Sequence, residues 1–514
     1  FTLTIDPATG AVTLNLLDNI WHADTGDHDD AQSLLLNTGV LQLVQTVTDA
    51  DGDSDSAALD LGAAGAFSFE DDGPSIELAD AQLSSLVVDE TDLTTDATAD
   101  FSGAFSSAFG ADGAGSVSYA LSATGDPSGL VDVASGLDIV LGMNGGVVEG
   151  WVGGDSSIVA FTVSVDGSGN VTLDQLRALQ HPDGSNPNDP VSVAGGAIAL
   201  VATVTDADGD QASASLNLGN FLTFHDDGPS IQLSGSALAA LVVDETDLTT
   251  DATADFSGAF SSAFGADGAG SVSYALSATG DPNGLVDVAT GLDIVLGMNG
   301  GVVEGWVGGD SSIVAFTVSV DGSGNVTLDQ LRALQHPDGS NPNDPVSVAG
   351  GAIALVATVT DADGDHASAS LNLGSFLTFH DDGPSISLAG TQLPSLVVDE
   401  TDLSTDATAD FSGAFSSTFG ADGAGSVSYA LSATGDPSGL VDVATGLGIV
   451  LGMNGSVVEG WVGGDSSIVA FTVSVDGSGN VTLDQLRALQ HPDGSNPDDP
   501  VSVAGSAIAL IATI

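Results

Sequence analysis

Three short acidic strings recur along the 514-residue chain, and their residue types suit one kind of chemistry. Between residues 230 and 384 they are VVDETD, with Asp244, Glu245 and Asp247; DADGD, with Asp361, Asp363 and Asp365; and DDGP, with Asp381 and Asp382. Carboxylates alternating around a glycine turn place several hard oxygens on a short flexible loop, which is what Ca²⁺ requires. The match to a helix-flanked calcium loop is poor, because Gly364 falls at the fourth position and no helical pattern flanks the string. Asp and Gly also make good turns without any ligand. Three acidic strings in one stretch, with almost no Lys or Arg to pair them, favour the cation.

The charge balance sharpens that preference. There are 71 Asp and Glu against 3 Lys and Arg, a formal net charge of −68, yet charged residues are only 14% of the chain. The chain is not overloaded with acids; it lacks bases. A binder of nucleic-acid backbones needs Lys and Arg against phosphate, so that class is excluded, and so is a basic membrane-surface helix. The hydrophobic share of 42% and mean hydropathy of +0.27 argue for a packed core rather than disorder. With no Cys, disulfides, thiolate metal sites and cysteine nucleophiles are all absent. No apolar run approaches the ~18 residues of a membrane span. The chain opens at Phe1 and stops at Ile514 inside an apolar run, so both ends are expected to be cuts in a longer polypeptide.

The elements that position the acids come as a tandem repeat. LVVDETDL begins at Leu86, Leu241 and Leu396, and residues 86–229 differ from 241–384 only at Ser128/Asn283, Ser135/Thr290, Gln211/His366 and Asn220/Ser375. The boundaries follow EDDGP and HDDGP. They give half a repeat at 1–74, complete repeats at 75–229 and 230–384, and a truncated repeat at 385–514. Within one repeat, Ser116–Thr124, Ser157–Asp166 and Ala197–Asp206 are rich in β-branched residues with partial period-2 alternation. Asn144-Gly145 marks a hairpin, DGSGN at 166–170 joins two more strands, and NPNDP at 186–190 reads as a loop. Leu173–Gln180 is the one helix candidate. The fold class is therefore all-β: a tandem array of antiparallel β-sandwich domains, of the immunoglobulin or cadherin kind, with a 155-residue repeat.

A strand's two ends lie at opposite poles of a sandwich, so the DADGD turn should face the linker preceding its repeat. If VVDETD shares that pole, each joint gathers three strings from two neighbours. The first joint would collect Asp71 and Asp72, with Asp89, Glu90 and Asp92, and Asp206, Asp208 and Asp210. The second would collect Asp226 and Asp227, with Asp244, Glu245 and Asp247, and Asp361, Asp363 and Asp365. Asp381 and Asp382 with Asp399, Glu400 and Asp402 repeat the pattern, and Asp49, Asp51 and Asp53 are the first copy's DADGD. Each joint could hold about one to three Ca²⁺.

In order, VDETD, GADGAGSVSY, FTVSVDGSGNVTL (FTLTIDPATGAVTL in the first copy), the HPD turn, VTDADGD and DDGP resemble the domain repeated in giant type I-secreted RTX (repeats-in-toxin) adhesins of Gram-negative bacteria. The resemblance covers the whole chain. It implies extracellular, Ca²⁺-dependent extender modules that hold adhesive domains away from the cell and serve attachment or biofilm formation. The DADGD, DDGP and VDETD acids would be the Ca²⁺ ligands. Partners would be neighbouring repeats of the same chain, and glycans or a host or abiotic surface through domains elsewhere. The glycine-rich nonapeptides and the secretion signal of such proteins do not occur in this sequence.

Other residues invite blander readings. Trp151, Trp306 and Trp461 in VVEGWVGGD read as core or, less simply, as carbohydrate platforms; His181, His336 and His491 in LQHPDG read as turn residues or metal ligands. Arg177, Arg332 and Arg487 are expected to pair with a nearby carboxylate, Asp174 in the first case. GADGAG at 110–115 lacks the Lys and Ser/Thr of a phosphate loop and reads as a turn. An enzyme is not expected, since chemistry rarely needs several identical sites in line. Two other functions compete with the extender. A glycan- or surface-binding module would carry an exposed aromatic or Thr array. A halophilic surface-layer protein would spread its acids over the whole surface.

Overall fold

Period-2 alternation builds the layers of residues 75–229. Asn170–Gln175 alternates half-buried and buried residues, with Val171, Leu173 and Gln175 facing inward. Ile198–Thr205 buries Ile198, Leu200, Ala202 and Val204. A computed structural model of the chain describes every residue except Asp281 and Pro497. It has two compact units: residues 1–233 with 260–273 and 357–369, and residues 234–259 with 274–356 and 370–514. Among the described residues there is no α-helix, and so no helix long and apolar enough to cross a membrane.

In the first unit, one sheet has six antiparallel strands in the order Pro127–Asp132, Leu137–Asn144, Val147–Val152, Val159–Val165, Asn170–Gln175 and Ala97–Asp100. Facing it are Ser116–Ala123, Ile198–Thr205 and Gln211–Asn217 in one sheet, and Pro190–Ser192, Leu222–His225 and Leu86–Asp89 in another. The inward faces form one apolar cluster that includes Ile139, Leu141, Phe161, Leu173, Ile198, Leu200 and Phe224. Phe161 and Phe224 meet across it with ring centroids 5.2 Å apart. The second unit contains a matching six-stranded sheet running from Ala252–Asp255 to Pro282–Val286, and another from Ala407–Asp410 to Pro437–Val441. This is the all-β tandem architecture that the sequence implies.

Three local expectations change. Leu173–Gln180 is not a helix: its first three residues complete the strand Asn170–Gln175, where Leu173 pairs with Val163 and Ala97. Burial of Val171, Leu173 and Gln175 at spacing two outweighs the weak helical pattern. The hairpin loop is Gly145-Gly146 rather than Asn144-Gly145, because Asn144 stays in the ladder opposite Val147 and both glycines have φ of 59° and 91°. The tryptophans do not enter the core. Trp151 lies on the opposite face from Val148 and Val152, over Gly142, where a Cβ would come within 2.0 Å of its ring.

One strand pair departs from the antiparallel rule and controls the site. Leu86–Asp89 runs parallel to Leu222–His225, with Asp89 opposite His225. Leu241–Asp244 does the same against Leu377–His380. Parallel partners end at the same pole, so VVDETD and HDDGP of one repeat finish side by side.

Candidate metal centres

The DADGD hairpin is built from Ile198–Thr205 and Gln211–Asn217, closed by Thr205 opposite Gln211. Within it, Asp206 Oδ1 accepts from the amides of Gly209 at 3.0 Å and Asp210 at 2.8 Å, which the left-handed Gly209, at φ 114°, permits. That leaves Asp206 Oδ2 buried and without a partner.

Two close approaches then bring other strings to the hairpin. At Gly115 a Cβ would lie 2.0 Å from the Thr205 carbonyl oxygen, and at Gly110 one would lie 2.3 Å from that of Asp72. GADGAG is thus wedged between the hairpin and the preceding linker, with Asp72 Oδ2 accepting from Ala111 N at 2.9 Å. Asp71, Asp112 and Asp208 converge there, as do Asp206, Asp208 and Asp210. Burial, followed by the charges of Asp208 and Asp71, pushes Asp112 up to about 6. Burial and Asp71 do the same to Asp210.

A second centre in the same unit repeats this arrangement 155 residues on. Gly265 and Gly270 pack against the Asp227 and Asp361 carbonyls. Ala266 N donates to Asp227 Oδ2 at 3.1 Å, and His181 N donates to Asp363 Oδ2 at 3.1 Å. Asp267, 4% exposed, has no partner for either carboxylate oxygen. Burial, then the charges of Glu90, Asp363, Asp226 and Asp361, push it up to about 9. Burial and the adjacent Asp226 push Asp365 up to about 7, and burial and Asp363 push Asp361 up to about 6. Asp226 Oδ2, Asp361 Oδ2, Asp363 Oδ1 and Asp365 Oδ2 are buried and unpartnered as well. Buried polar groups normally have hydrogen-bond partners, and an ionised carboxylate without one is costly. These oxygens must take up protons or a cation.

In the second unit, Asp382 Oδ2 accepts from Ala421 N at 3.0 Å, and Asp422 is raised by burial and then by Asp381. Asp381 lies beside Glu245 and His336.

The structure therefore brings DADGD to the linker that precedes its repeat. It does not bring VVDETD there. Glu90 stands not with Asp71 and Asp72 but with His181 and Asp226, because the parallel pairing carries it to the far pole. Glu245 likewise stands with Asp381 rather than with Asp226 and Asp227.

The flanking acids of that string are exposed caps. Asp89 Oδ1 accepts from Thr91 N at 2.9 Å, and Asp92 accepts from Thr94 and Thr95. Asp244, Asp247, Asp399 and Asp402 repeat these contacts. Glu400 accepts from Gln485 and Leu489. Asp49, Asp51 and Asp53 form an exposed group.

Residues overlooked in the sequence complete the centres. Asp112, Asp267 and Asp422 come from GADGAG, whose glycines read only as a turn. Their signal was a single Asp at a fixed place in a glycine string that recurs once per repeat. The arginines are misassigned by sequence: Arg177 Nε and Nη2 donate to Asp132 at 2.7 and 3.2 Å, not to Asp174. Without a helix, residues three apart do not share a face. Asp132 reaches Arg177 because it bridges to Leu179.

No curated protein matches the chain. Solved structures with low similarity include the protocadherin gammaB4 extracellular domain, at 14% identity and TM-score 0.20, where 90% of this chain aligns with 57% of that one. A Ca²⁺-stabilized adhesin of an Antarctic bacterium that binds ice gives 12% identity and TM-score 0.19, covering 86% and 80%. A tetra-tandem repeat in the extending region of a large adhesion protein gives 13% and 0.15, covering 92% and 98%. At these TM-scores the likeness carries nothing about function. A family model described as a domain of unknown function, DUF5801, matches residues 1–62, 85–219, 240–374 and 395–514, leaving Asp71, Asp72, Asp226 and Asp227 in the segments between matches. With four matches over most of its length, the chain belongs to the DUF5801 family.

Proposed function

We propose that the chain is a non-enzymatic structural extender of a large secreted cell-surface adhesin, its joints stiffened by Ca²⁺ and its role the support of attachment or biofilm formation. The observation that carries this reading is Asp267: a carboxylate 4% exposed, with both oxygens unpartnered, among Glu90, Asp226, Asp361 and Asp363. The tandem organisation and the resemblance to RTX adhesin repeats point the same way. Residues 75–229 and 230–384 act as the repeating modules.

The donors are hard oxygens from short loops, which suits Ca²⁺ with its six to eight oxygen ligands. Asp71, Asp112, Asp206, Asp208 and Asp210 would hold the ion at one centre. Asp226, Asp267, Asp361, Asp363 and Asp365 would hold it at the next. When bound, the ion supplies the positive charge that the sequence lacks. Each centre draws its acids from a linker and from two turns of the following repeat, so holding them together fixes the angle at which one repeat follows another. Extracellular modules bind at about 10⁻⁴–10⁻³ M. Cytosolic Ca²⁺ would then leave the chain loose before export, and external Ca²⁺ would set it. The test is thermal melting and small-angle scattering of the full chain in EGTA and in millimolar Ca²⁺. A higher melting temperature and a narrower distribution of lengths in Ca²⁺ are expected; identical behaviour in both overturns the proposal.

A further inference from the structure

We infer that Glu90, His181 and Asp226, and again Glu245, His336 and Asp381, form a mixed nitrogen–oxygen site for a divalent transition ion of the zinc or cobalt kind, additional to Ca²⁺. One ligand atom from each residue of a set lies within 4.8 Å of the others. Glu90, His181 and Asp226 are each 2% exposed. Their polar atoms are sorted by what already occupies them.

Glu90 Oε1 accepts from Gln175 Nε2 at 2.7 Å and Leu179 N at 2.9 Å, while Oε2 is buried without a partner. Asp226 uses Oδ1 to accept from Asp227 N at 2.8 Å, and its Oδ2 is buried without a partner. His181 Nδ1 lies 2.5 Å from the Asp189 carbonyl oxygen. A carbonyl only accepts, so Nδ1 carries the hydrogen, and in the neutral ring Nε2 presents a lone pair. Without a metal, Nε2 carries a proton toward the Glu90 carboxylate, 3.4 Å from Oε1, and a divalent ion would take the place of that proton on the same lone pair. A backbone carbonyl that fixes the tautomer and aims the other ring nitrogen is the usual support of a metal-bound imidazole.

The second unit holds the same set independently. Glu245 Oε1 accepts from Gln330 and from Leu334, both at 2.8 Å, with Oε2 left over. His336 Nε2 is 3.3 Å from Glu245 Oε1, and Asp381 Oδ1 is unpartnered. His336 differs in that its Nδ1 has no partner.

The donor chemistry separates this ion from Ca²⁺. Calcium takes oxygen ligands throughout, whereas one imidazole with two carboxylates suits zinc and its neighbours at about 2.0–2.2 Å. The acids of DADGD and GADGAG contribute no nitrogen and remain available to Ca²⁺, and Asp226, through Oδ2, is the one carboxylate shared between the two ions.

The experiment titrates Co²⁺ into the chelator-stripped full chain held in saturating millimolar Ca²⁺, reading the visible ligand-field absorption. A band that saturates at one Co²⁺ per Glu–His–Asp set and is displaced by Zn²⁺ is expected. The double variant His181→Gln/His336→Gln should bind Co²⁺ about tenfold more weakly or worse, while melting in Ca²⁺ as the parent does. If that variant fails to fold, Glu90→Gln/Glu245→Gln keeps the Oε1 hydrogen bonds and should weaken Co²⁺ to a similar degree. No band in the Ca²⁺-loaded protein, a band abolished by raising Ca²⁺, or a band unchanged in the variants would each overturn the site. A Ca²⁺-independent melt with the Co²⁺ band intact would instead remove the calcium proposal and leave this one standing.

Discussion

Asp132 and Asp267 are both buried carboxylates, and they differ in what neutralises them. Asp132, fully buried, receives two hydrogen bonds from Arg177 and two from Ser135. Burial raises its pKa, but Arg177 and Ser135 outweigh that and the net displacement is downward. Asp267 has no donor, and burial with four neighbouring acids drives it up to about 9. The first is a closed internal pair; the second has no partner for either oxygen. Each complete repeat commits its single arginine, a third exposed, to a buried aspartate of its own sandwich and leaves none for the joint.

Removing divalent ions should therefore produce the largest effect, and only at the joints. An ion present at one hundred times its Kd stabilises by about 2.7 kcal/mol, which for domains of this size raises the melting temperature by roughly 5–10 °C per site. Calorimetry in EGTA and in Ca²⁺ measures it. The pH dependence separates the two regions further. Asp267 at about 9, Asp365 at about 7 and Asp210 at about 6 all lie above the unfolded value near 3.9. The metal-free folded state thus holds their protons more tightly than the unfolded chain does. That stability is fully present below about pH 4 and is lost progressively as pH rises from about 4 to 9, each group ceasing to contribute above its own folded value. In EGTA the melting temperature should fall over this range, and in Ca²⁺ the fall should flatten or reverse. Asp442, held down to about 2 by Arg487 and Thr445, has the opposite sign. Its contribution is lost only as pH drops below 4, with or without Ca²⁺.

Breaking the closed pair should cost less in total but should ignore Ca²⁺. Arg177→Gln leaves Asp132 buried without a counter-charge, held by Ser135 alone, and destabilisation of about 3 kcal/mol is expected. The same loss should appear in EGTA and in Ca²⁺ melts. Asp267→Asn should do the reverse: a neutral amide needs no proton on burial, so the EGTA melt holds or rises while the gain from Ca²⁺ shrinks. Equal Ca²⁺ responses in the two variants would erase the distinction between the regions.

Much of this was legible in sequence because it is local or periodic. The strands around Ser116–Ala123 and Ile198–Thr205 announce themselves by alternation, and the pole of the DADGD turn follows from its place between two strands. What was not legible depends on non-local pairing. No pattern within Leu86–Asp89 says that it lies parallel to Leu222–His225, and that one register carries Glu90 to the opposite end of the sandwich. Asp112 and Asp267 were hidden for a related reason. Their glycines are needed for close approach to backbone carbonyls from a distant strand, which looks in sequence like ordinary turn chemistry.

The smallest expected effect lies inside one string and tests that register directly. Asp89 and Glu90 are adjacent, yet Asp89 is exposed and caps the turn at Thr91 while Glu90 is buried at the pole. Asp89→Ala should cost about 1 kcal/mol, the value of a lost N-cap, with the same decrement in EGTA and in Ca²⁺. Glu90→Gln keeps the acceptor for Gln175 and Leu179 but removes a charge that faces Asp267. It should therefore raise the EGTA melt slightly and change the response to added divalent ions. If the two variants swapped behaviour, Asp89 would be the residue turned toward the joint. The parallel pairing of Leu86–Asp89 would then be wrong by one residue, since a single-step slip in a strand exchanges its faces.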